Sequence, residues 1–500
     1  MAVLYIVFIV VILYIAFSVL KRWRRGKFPG PSGKPVLGVL SDLDLAKLHV
    51  TFDKWSKQYG DLFQFTCLGK KFIVVSSSKR IRDLFLKEPN ATTTAGRPTT
   101  FTGQYFFRNN SDVFFATSTD QTWTKRRKMM YQILNAYGEG LIGRERQITQ
   151  NLITMKNEIQ SSIGQTVDPS NIVEEFILNT IEDLLIGRNF GRHGQLQPLI
   201  KKLDHGLNEV TNLGTDMVYS AFPFLRFLPL PHSKKFQDAI KMKDQLMDML
   251  DSLSREETGD KGVYQSLKEI TLERDTFGKQ WFTDLHLWSM IVNLIAGGYL
   301  TTRGTLLSII HILAKRPDLQ KSLHTEIDNV VGVDRKPNLT DRQHCPFVDA
   351  VIIETLRFIS HLPTLFHNTT EGTNIAGIPV DQNTTVVVNL WTIHHSDKEW
   401  DEPFSFKPER FLQPDGSLMS STDPVRKRML AFGIGKRSCI GEVFAKSRIF
   451  LFLSTLMQSF TILEPEDCEL PDFLPKNMES GLLMQPKPYK VRFVRRKQLG

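Results

Sequence analysis

The chain has 500 residues, 41% hydrophobic and 23% charged, a balance that excludes wholesale disorder and exceeds what one hydrophobic core normally fills, so two lobes are expected. Its net charge of +10 comes without a zinc knuckle, a basic arm or a long Lys/Arg run. That excludes nucleic acid and leaves a membrane surface or an acidic protein as partner. Four scattered cysteines, Cys67, Cys345, Cys439 and Cys468, exclude a disulfide scaffold or a Cys-x-x-Cys zinc site and suit a reducing compartment.

Residues 1–20 carry no charged side chain and as a helix would span about 30 Å, enough to cross a bilayer. The run KRWRR, residues 21–25, follows at once and places the downstream chain on the cytosolic side. A cleaved signal peptide fits less well, because the positive charges come after the apolar run and no small-x-small site is present. FPGPSGKPVLG, Phe28 to Gly38, reads as a stiff Pro/Gly hinge. The expected organisation is an anchor over 1–20, a basic stop and hinge over 21–38, and a catalytic domain over 39–500.

Leu62 to Ser77 reads as two short strands about a Gly69–Lys70 turn. From about Trp123 to Arg357 the apolar periodicity is helical. Its longest run, TDLHLWSMIVNLIAGGYLTTRGTLLSIIHILAKRP, predicts a helix that crosses the molecule and ends at Pro317. Short strands return at Thr384–Asn389, Ser459–Leu463 and Tyr489–Val494. The expected fold class is mainly α, with a small β-rich lobe near the membrane end.

The chemistry concentrates in AFGIGKRSCIGE, Ala431 to Glu442. Gly433 and Gly435 allow a tight turn and a close approach, and Lys436 and Arg437 are expected to depress the Cys439 thiol pKa. The loop fits F-x-x-G-x-R-x-C-x-G through Phe432, Gly435, Arg437, Cys439 and Gly441. It resembles the haem-binding loop of the cytochrome P450 family, the haem-thiolate monooxygenases, and the resemblance runs over nearly the whole chain. It implies the cytochrome P450 fold, a haem b cofactor and Cys439 as iron ligand, because an axial thiolate pushes electron density onto iron and favours O–O cleavage.

The same resemblance gives roles to other motifs. Glu354 and Arg357 of ETLR lie one helical turn apart; with Arg410 of FKPERF they are implied to form a buried structural network. An isolated E-x-x-R is more often a surface ion pair. Trp123 and Arg127 of WTKRR, Arg97 of AGRP, His367 of LFHN and Arg437 are implied to approach the haem propionates. In the long helix the family reads A/G-G-x-D/E-T-T/S, where this chain reads GGYLTT. Thr301 and Thr302 keep the alcohols, but Leu300 replaces the acid that helps organise proton delivery, and leucine can neither ionise nor hydrogen-bond.

FTGQYFFRNNSDVFFA, residues 101–116, corresponds to a cap on the distal pocket, and AFPFLRFLPLP, residues 221–231, to a loop that dips into the membrane. NLWTIHHSDKEWDEPFSFKPERF is similar to the steroid 17-alpha-hydroxylase and drug-metabolising branches of the family. The implied activity is insertion of one oxygen atom from dioxygen into a lipophilic steroid or xenobiotic. Electrons are expected from NADPH through the cytochrome P450 reductase, with cytochrome b5 as a further partner, at the endoplasmic reticulum membrane. The reductase is expected to dock on a basic patch of Lys125, Arg126, Lys128, Arg426, Lys427, Arg428 and Lys436. Leu300 keeps two alternatives open: a hydroperoxide or endoperoxide isomerase, and a non-catalytic haem-binding protein.

Overall fold

The computed structural model describes residues 28–496 except 36, 109–110, 139–141, 189–193, 195, 212, 257–260, 275–277, 279 and 482; at 135–147, 208, 209 and 213 only the backbone is considered. The anchor expected over 1–20 therefore lies outside the described residues. Among the described residues no helix is long and apolar enough to cross a membrane.

Ten longer helices make up most of the molecule: α1 (Leu48–Tyr59), α2 (Gln121–Gly138), α3 (Ile142–Ser161), α4 (Ser170–Ile186), α5 (Leu196–Val210), α6 (Pro231–Ser254), α7 (Asp284–Lys315), α8 (Pro317–Val330), α9 (Pro346–Ile359) and α10 (Glu442–Ser459). Among the described residues nine short strands form three sheets: β1 (Leu62–Cys67), β2 (Lys70–Val75), β3 (Thr166–Val167), β4 (Leu365–Asn368), β5 (Thr373–Ile375), β6 (Ile378–Val380), β7 (Thr385–Val388), β8 (Phe460–Leu463) and β9 (Val491–Arg495). Their orders are β1-β2-β7-β4, β3-β9-β8 and β5-β6. The expected division into much helix and little sheet is what the chain adopts.

Helix α7 runs for 32 residues and starts with a capping box between Thr283 and His286. It stops at Lys315 because Arg316, preceding Pro317, leaves the helical region (φ −128°, ψ 76°). From Gly304 to Ala314 every residue is buried, the pattern of a helix enclosed on all sides. It packs against α4, α5, α9 and α10. Earlier, Gly297 is exposed, and Asn293, Leu300 and Thr301 are only half-buried. An open stripe in the middle of an interior helix means that it borders a cavity.

In the first sheet β2 and β7 pair in parallel, Phe72 with Thr385 through Val75 with Val388, and both read as continuous apolar runs, as buried parallel strands do. The β1–β2 turn sits one residue earlier than expected. Leu68 and Gly69 both take positive φ (48° and 75°), and Lys70 already pairs with Cys67, the two-residue hairpin pattern. Residues 28–38 lie against this sheet: Gln64 N donates to Pro29 O at 2.8 Å, Gly38 bridges to Cys67, and Phe28 is buried in a cluster that includes Leu62 and Phe85.

Candidate functional site

The loop before α10 is shaped by two glycines in the left-handed region, Gly433 (φ 69°) and Gly435 (φ 70°). A Cβ on Gly435 would run into the carbonyl oxygen of Phe85, so the loop seats on the helix Ser78–Leu86 only because that position has no side chain. Cys439 N donates to Phe432 O at 2.7 Å, which closes the turn. Gly441 N donates to the Cys439 sulfur at 3.3 Å, and Gly441 caps α10. A helix N-terminus behind the sulfur favours its thiolate.

Cys439 is exposed, yet enough protein surrounds it that burial pushes its thiol pKa up. An accessible group inside the molecular body lines an internal space. The opposing influences are the Gly441 N–H, then the positive charges of Arg127 and Lys446. This corrects the expectation that Lys436 and Arg437 would tune the thiol. Lys436 turns to Thr92 Oγ1 (2.6 Å) and Glu88 (3.6 Å). Arg437 reaches the carbonyls of Ala95 (2.8 Å), Val113 (2.9 Å), Ala116 (2.5 Å) and Ser118 (3.1 Å).

Arg437 instead belongs to a cationic group. Arg97 is 6% exposed and donates to the carbonyls of Phe114 (3.2 Å) and Phe366 (2.5 Å). Arg127, from α2, donates to the Ser438 carbonyl next to the cysteine. Trp123, one turn earlier on α2, is buried and gives its indole N–H to Val113 O at 3.0 Å. The guanidiniums of Arg437 and Arg127 lie 4.3 and 5.6 Å from its ring centroid. Burial, then the charges of Arg97 and Arg127, lower the Arg437 pKa to about 9; burial and Arg127 lower that of Arg97 to about 10, against the opposing Asp112. None of the three arginines makes an ion pair with a carboxylate among the described residues. Asp112, the nearest anion, is fully buried and held by Asn293 Nδ2 (2.6 Å) and Phe115 N (2.8 Å), and burial lifts its pKa to about 6.

His367 on edge strand β4 faces Phe85 at 4.4 Å and is buried with Nδ1 unpartnered. Burial and then Arg97 and Arg437 hold its pKa well below 6.5. The structure thus brings Arg97, Trp123, Arg127, His367, Arg437 and the Cys439 loop into one region, from four separate chain segments.

On α7 the two threonines part company. Thr301 lies on the open stripe and donates to Gly297 O, while Thr302 is buried and off that stripe, a correction to their joint assignment. A Cβ on Gly297 or Gly298 would meet nothing within 4 Å. Beside Arg97 a cavity of about 140 Å³ is lined by Phe114, Phe115, Met217, Leu362, Leu365 and Phe366, with Lys70 and Asp216 among its few polar groups. Residues 101–116 supply part of this wall, and on the 221–231 loop Phe222, Phe224, Phe227 and Leu228 are exposed.

Away from the site, Glu354 and Arg357 are both fully buried on α9. Arg357 grips Glu354 through Nε (2.7 Å) and Nη2 (2.8 Å) and donates to the carbonyls of His394 (2.6 Å) and Pro403 (2.9 Å). Arg410 adds a contact to Glu354 at 3.1 Å. The expected surface patch is less uniform: Arg126 is 8% exposed against His286, at 2.7 Å. Lys125 lies over Trp281, and Arg426 and Arg428 donate to carbonyls of Met419 and Glu399.

Residues 28–493 match the family model for cytochrome P450. The chain is 28% identical to the steroid 17-alpha-hydroxylase/17,20 lyase of Gallus gallus over 96% of each chain. It is 29% identical to cytochrome P450 1A2 of Mesocricetus auratus over 92% of this chain and 90% of that one. A zebra fish cytochrome P450 solved with progesterone superposes with a TM-score of 0.77 at 27% identity, covering 89% of this chain and 99% of its own. The residues present fit the haem of that family. Two buried guanidiniums, Arg97 and Arg437, and the half-buried Arg127, without carboxylate partners among the described residues, and the unpartnered His367 Nδ1 suit two propionates, and Cys439 offers a sulfur to an interior space.

Proposed function

As the chain belongs to the cytochrome P450 family of haem-dependent monooxygenases, we propose that its catalytic domain is tethered by residues 1–20 and starts at Phe28 instead of 39, because the segment expected as the end of the hinge packs onto the first sheet. The proposed reaction inserts one oxygen atom from dioxygen into a lipophilic steroid or xenobiotic. When bound, haem supplies iron chemistry on dioxygen, with electrons from NADPH through the reductase and cytochrome b5. Cys439 would ligate the iron. Arg97, Arg127, Arg437 and His367 would hold the propionates, with Trp123 as the ring on which Arg437 and Arg127 rest. Glu354, Arg357 and Arg410 fix the fold around them without touching substrate.

Thr301, on the open stripe of α7, is the proposed proton-handling alcohol. Phe114, Phe115, Leu362 and Phe366 exclude water and select apolar substrates. The exposed aromatics of the 221–231 loop suit a membrane surface, in keeping with an endoplasmic reticulum location and a cytosolic catalytic domain. A steroid-like substrate is supported by the steroid 17-alpha-hydroxylase/17,20 lyase relatives and by the progesterone in the zebra fish protein.

One observation carries this reading: the Cys439 sulfur, backed by the Gly441 N–H and the start of α10, is presented to an interior space. The test reconstitutes purified holoprotein with reductase, NADPH and dioxygen, and screens steroids and drug-like compounds for hydroxylated product. Reduced protein plus carbon monoxide is expected to show thiolate-ligated absorption, and Cys439→Ser to lose it. Turnover of a lipid hydroperoxide alone, with none from NADPH and dioxygen, would replace the monooxygenase with an isomerase.

A further inference from the structure

Leu300 leaves α7 without a carboxyl beside Thr301, but the next turn carries a buried polar assembly built from three chain segments. Thr305 Oγ1 lies 2.8 Å from Thr301 O and 3.0 Å from His361 Nε2. His361 Nδ1 lies 2.7 Å from Met484 O, and Met484 N donates to His361 O at 2.8 Å. Gln485 Nε2 donates to the Leu300 carbonyl at 3.2 Å. His361 and Gln485 are each 8% exposed and Thr305 1%. Their approach depends on Gly304, where a Cβ would collide with His361 Cε1 and stand 2.8 Å from Gln485 Oε1.

The donor logic is constrained. The Met484 carbonyl only accepts, so Nδ1 of His361 carries a proton. Burial holds the imidazole pKa at about 4, so Nε2 is a lone pair at neutral pH and shares the single Thr305 hydroxyl proton with the Thr301 carbonyl. Gln485 Oε1 is left buried and unpartnered, an acceptor held beside the turn that bears Leu300 and Thr301. A buried amide oxygen left without a donor costs stability, so this side chain is held for what its amide N–H does on the Leu300 carbonyl.

We propose that His361, Thr305 and Gln485 form a positioning device for Thr301: they pin the Leu300–Thr305 turn from behind, through the Thr305 hydroxyl and the Gln485 amide on the Leu300 carbonyl. This rests on the monooxygenase reading for its catalytic consequence, but the pinning is a property of the chain itself. It also accounts for Leu300. With the turn held from the C-terminal loop, Thr301 keeps its place without a carboxylate at 300.

The experiment compares haem-loaded parent, His361→Leu, His361→Gln, Gln485→Leu and the double variant Leu300→Glu/His361→Leu, each first checked for equal haem content. Two quantities are read: amide hydrogen exchange of residues 297–305 in the resting protein, and hydrogen peroxide released per NADPH during turnover. His361→Leu is expected to speed exchange there about tenfold, as local opening becomes easier. His361→Leu and Gln485→Leu should divert about threefold more electrons to peroxide, an effect of under 1 kcal/mol on partitioning. His361→Gln should retain parent behaviour through its amide donors. Leu300→Glu should restore the electron yield in the His361→Leu background without restoring slow exchange.

Parent-like exchange and peroxide release in His361→Leu would overturn the proposal, as would a failure of Leu300→Glu to rescue. If the parent shows thiolate absorption but turns nothing over, the monooxygenase reading fails, and the exchange data alone decide whether the turn is pinned.

Discussion

Two groups of buried arginines differ in what completes them. In the Glu354 group one carboxylate receives Arg357 twice, Arg410 once and the Lys407 backbone N–H at 2.9 Å. In the Arg97–Arg127–Arg437 group the same side-chain type meets carbonyls, the Ser438 hydroxyl and aromatic rings but no carboxylate among the described residues, and the positive charges depress the Arg437 pKa. The first group is finished by the chain and the second is not. Since an uncompensated buried charge is costly, three cations together suit an anion from outside the sequence, the role proposed for the haem propionates.

The largest expected effect breaks the finished group. Arg357→Ala leaves Glu354 buried without its main partner and should cost about 3–5 kcal/mol, read from denaturant unfolding and from the loss of haem-loaded protein. A cost below about 1 kcal/mol would mean the group behaves like a surface ion pair. Arg437→Gln should do the reverse: the haem-free protein keeps its stability within about 1 kcal/mol, because an unpaired charge has been removed. The haem-loaded form should meanwhile release haem to an acceptor protein about tenfold faster, a charge-assisted contact having been lost. Equal destabilisation of both haem-free variants would erase the contrast.

A pH titration sharpens it further. His361 and His395 each have a folded pKa lowered to about 4 by burial, whereas an unfolded imidazole titrates near 6.5. The unfolded chain therefore binds more protons between those values. Stability from these groups is full above about pH 6.5 and is lost as pH falls toward 4, so the melting temperature should drop over that window. His361→Leu should flatten the slope, whereas Arg437→Gln should not.

The smallest effect concerns the surface. Reductase-driven turnover should weaken as salt rises, while oxidant-driven turnover stays level. Arg126, buried on His286, should contribute nothing to that dependence.

Legibility in the sequence followed the distance over which a residue finds its partner. The Cys439 loop, the E-x-x-R pair and α7 were readable because their residues act within a turn or two, where spacing is geometry. The cations around the thiol were misread for the opposite reason. Lys436 and Arg437 are its neighbours in the chain but turn to residues 88–92 and 95–118, while Arg127 arrives from 311 residues away. Strands β4, β5 and β6, of three or four residues each, are too short to show a period, so the strand that seats His367 went unseen. The turn at Leu68–Gly69 was placed one residue late because leucine is an unusual occupant of a positive-φ position. His361, Thr305 and Gln485 carry no spacing signal: 180 residues separate the outer two, and only the folded chain shows that they meet.

Phe28 has a practical consequence for shortening the protein. It shares one apolar cluster with Phe85, whose ring faces His367 and whose carbonyl sits under Gly435. A truncation that stops short of Phe28 spares that wedge. One that removes Phe28 and Pro29 takes a support from beneath the loop proposed to carry the haem, and so would bleach the protein from a cut made about four hundred residues upstream.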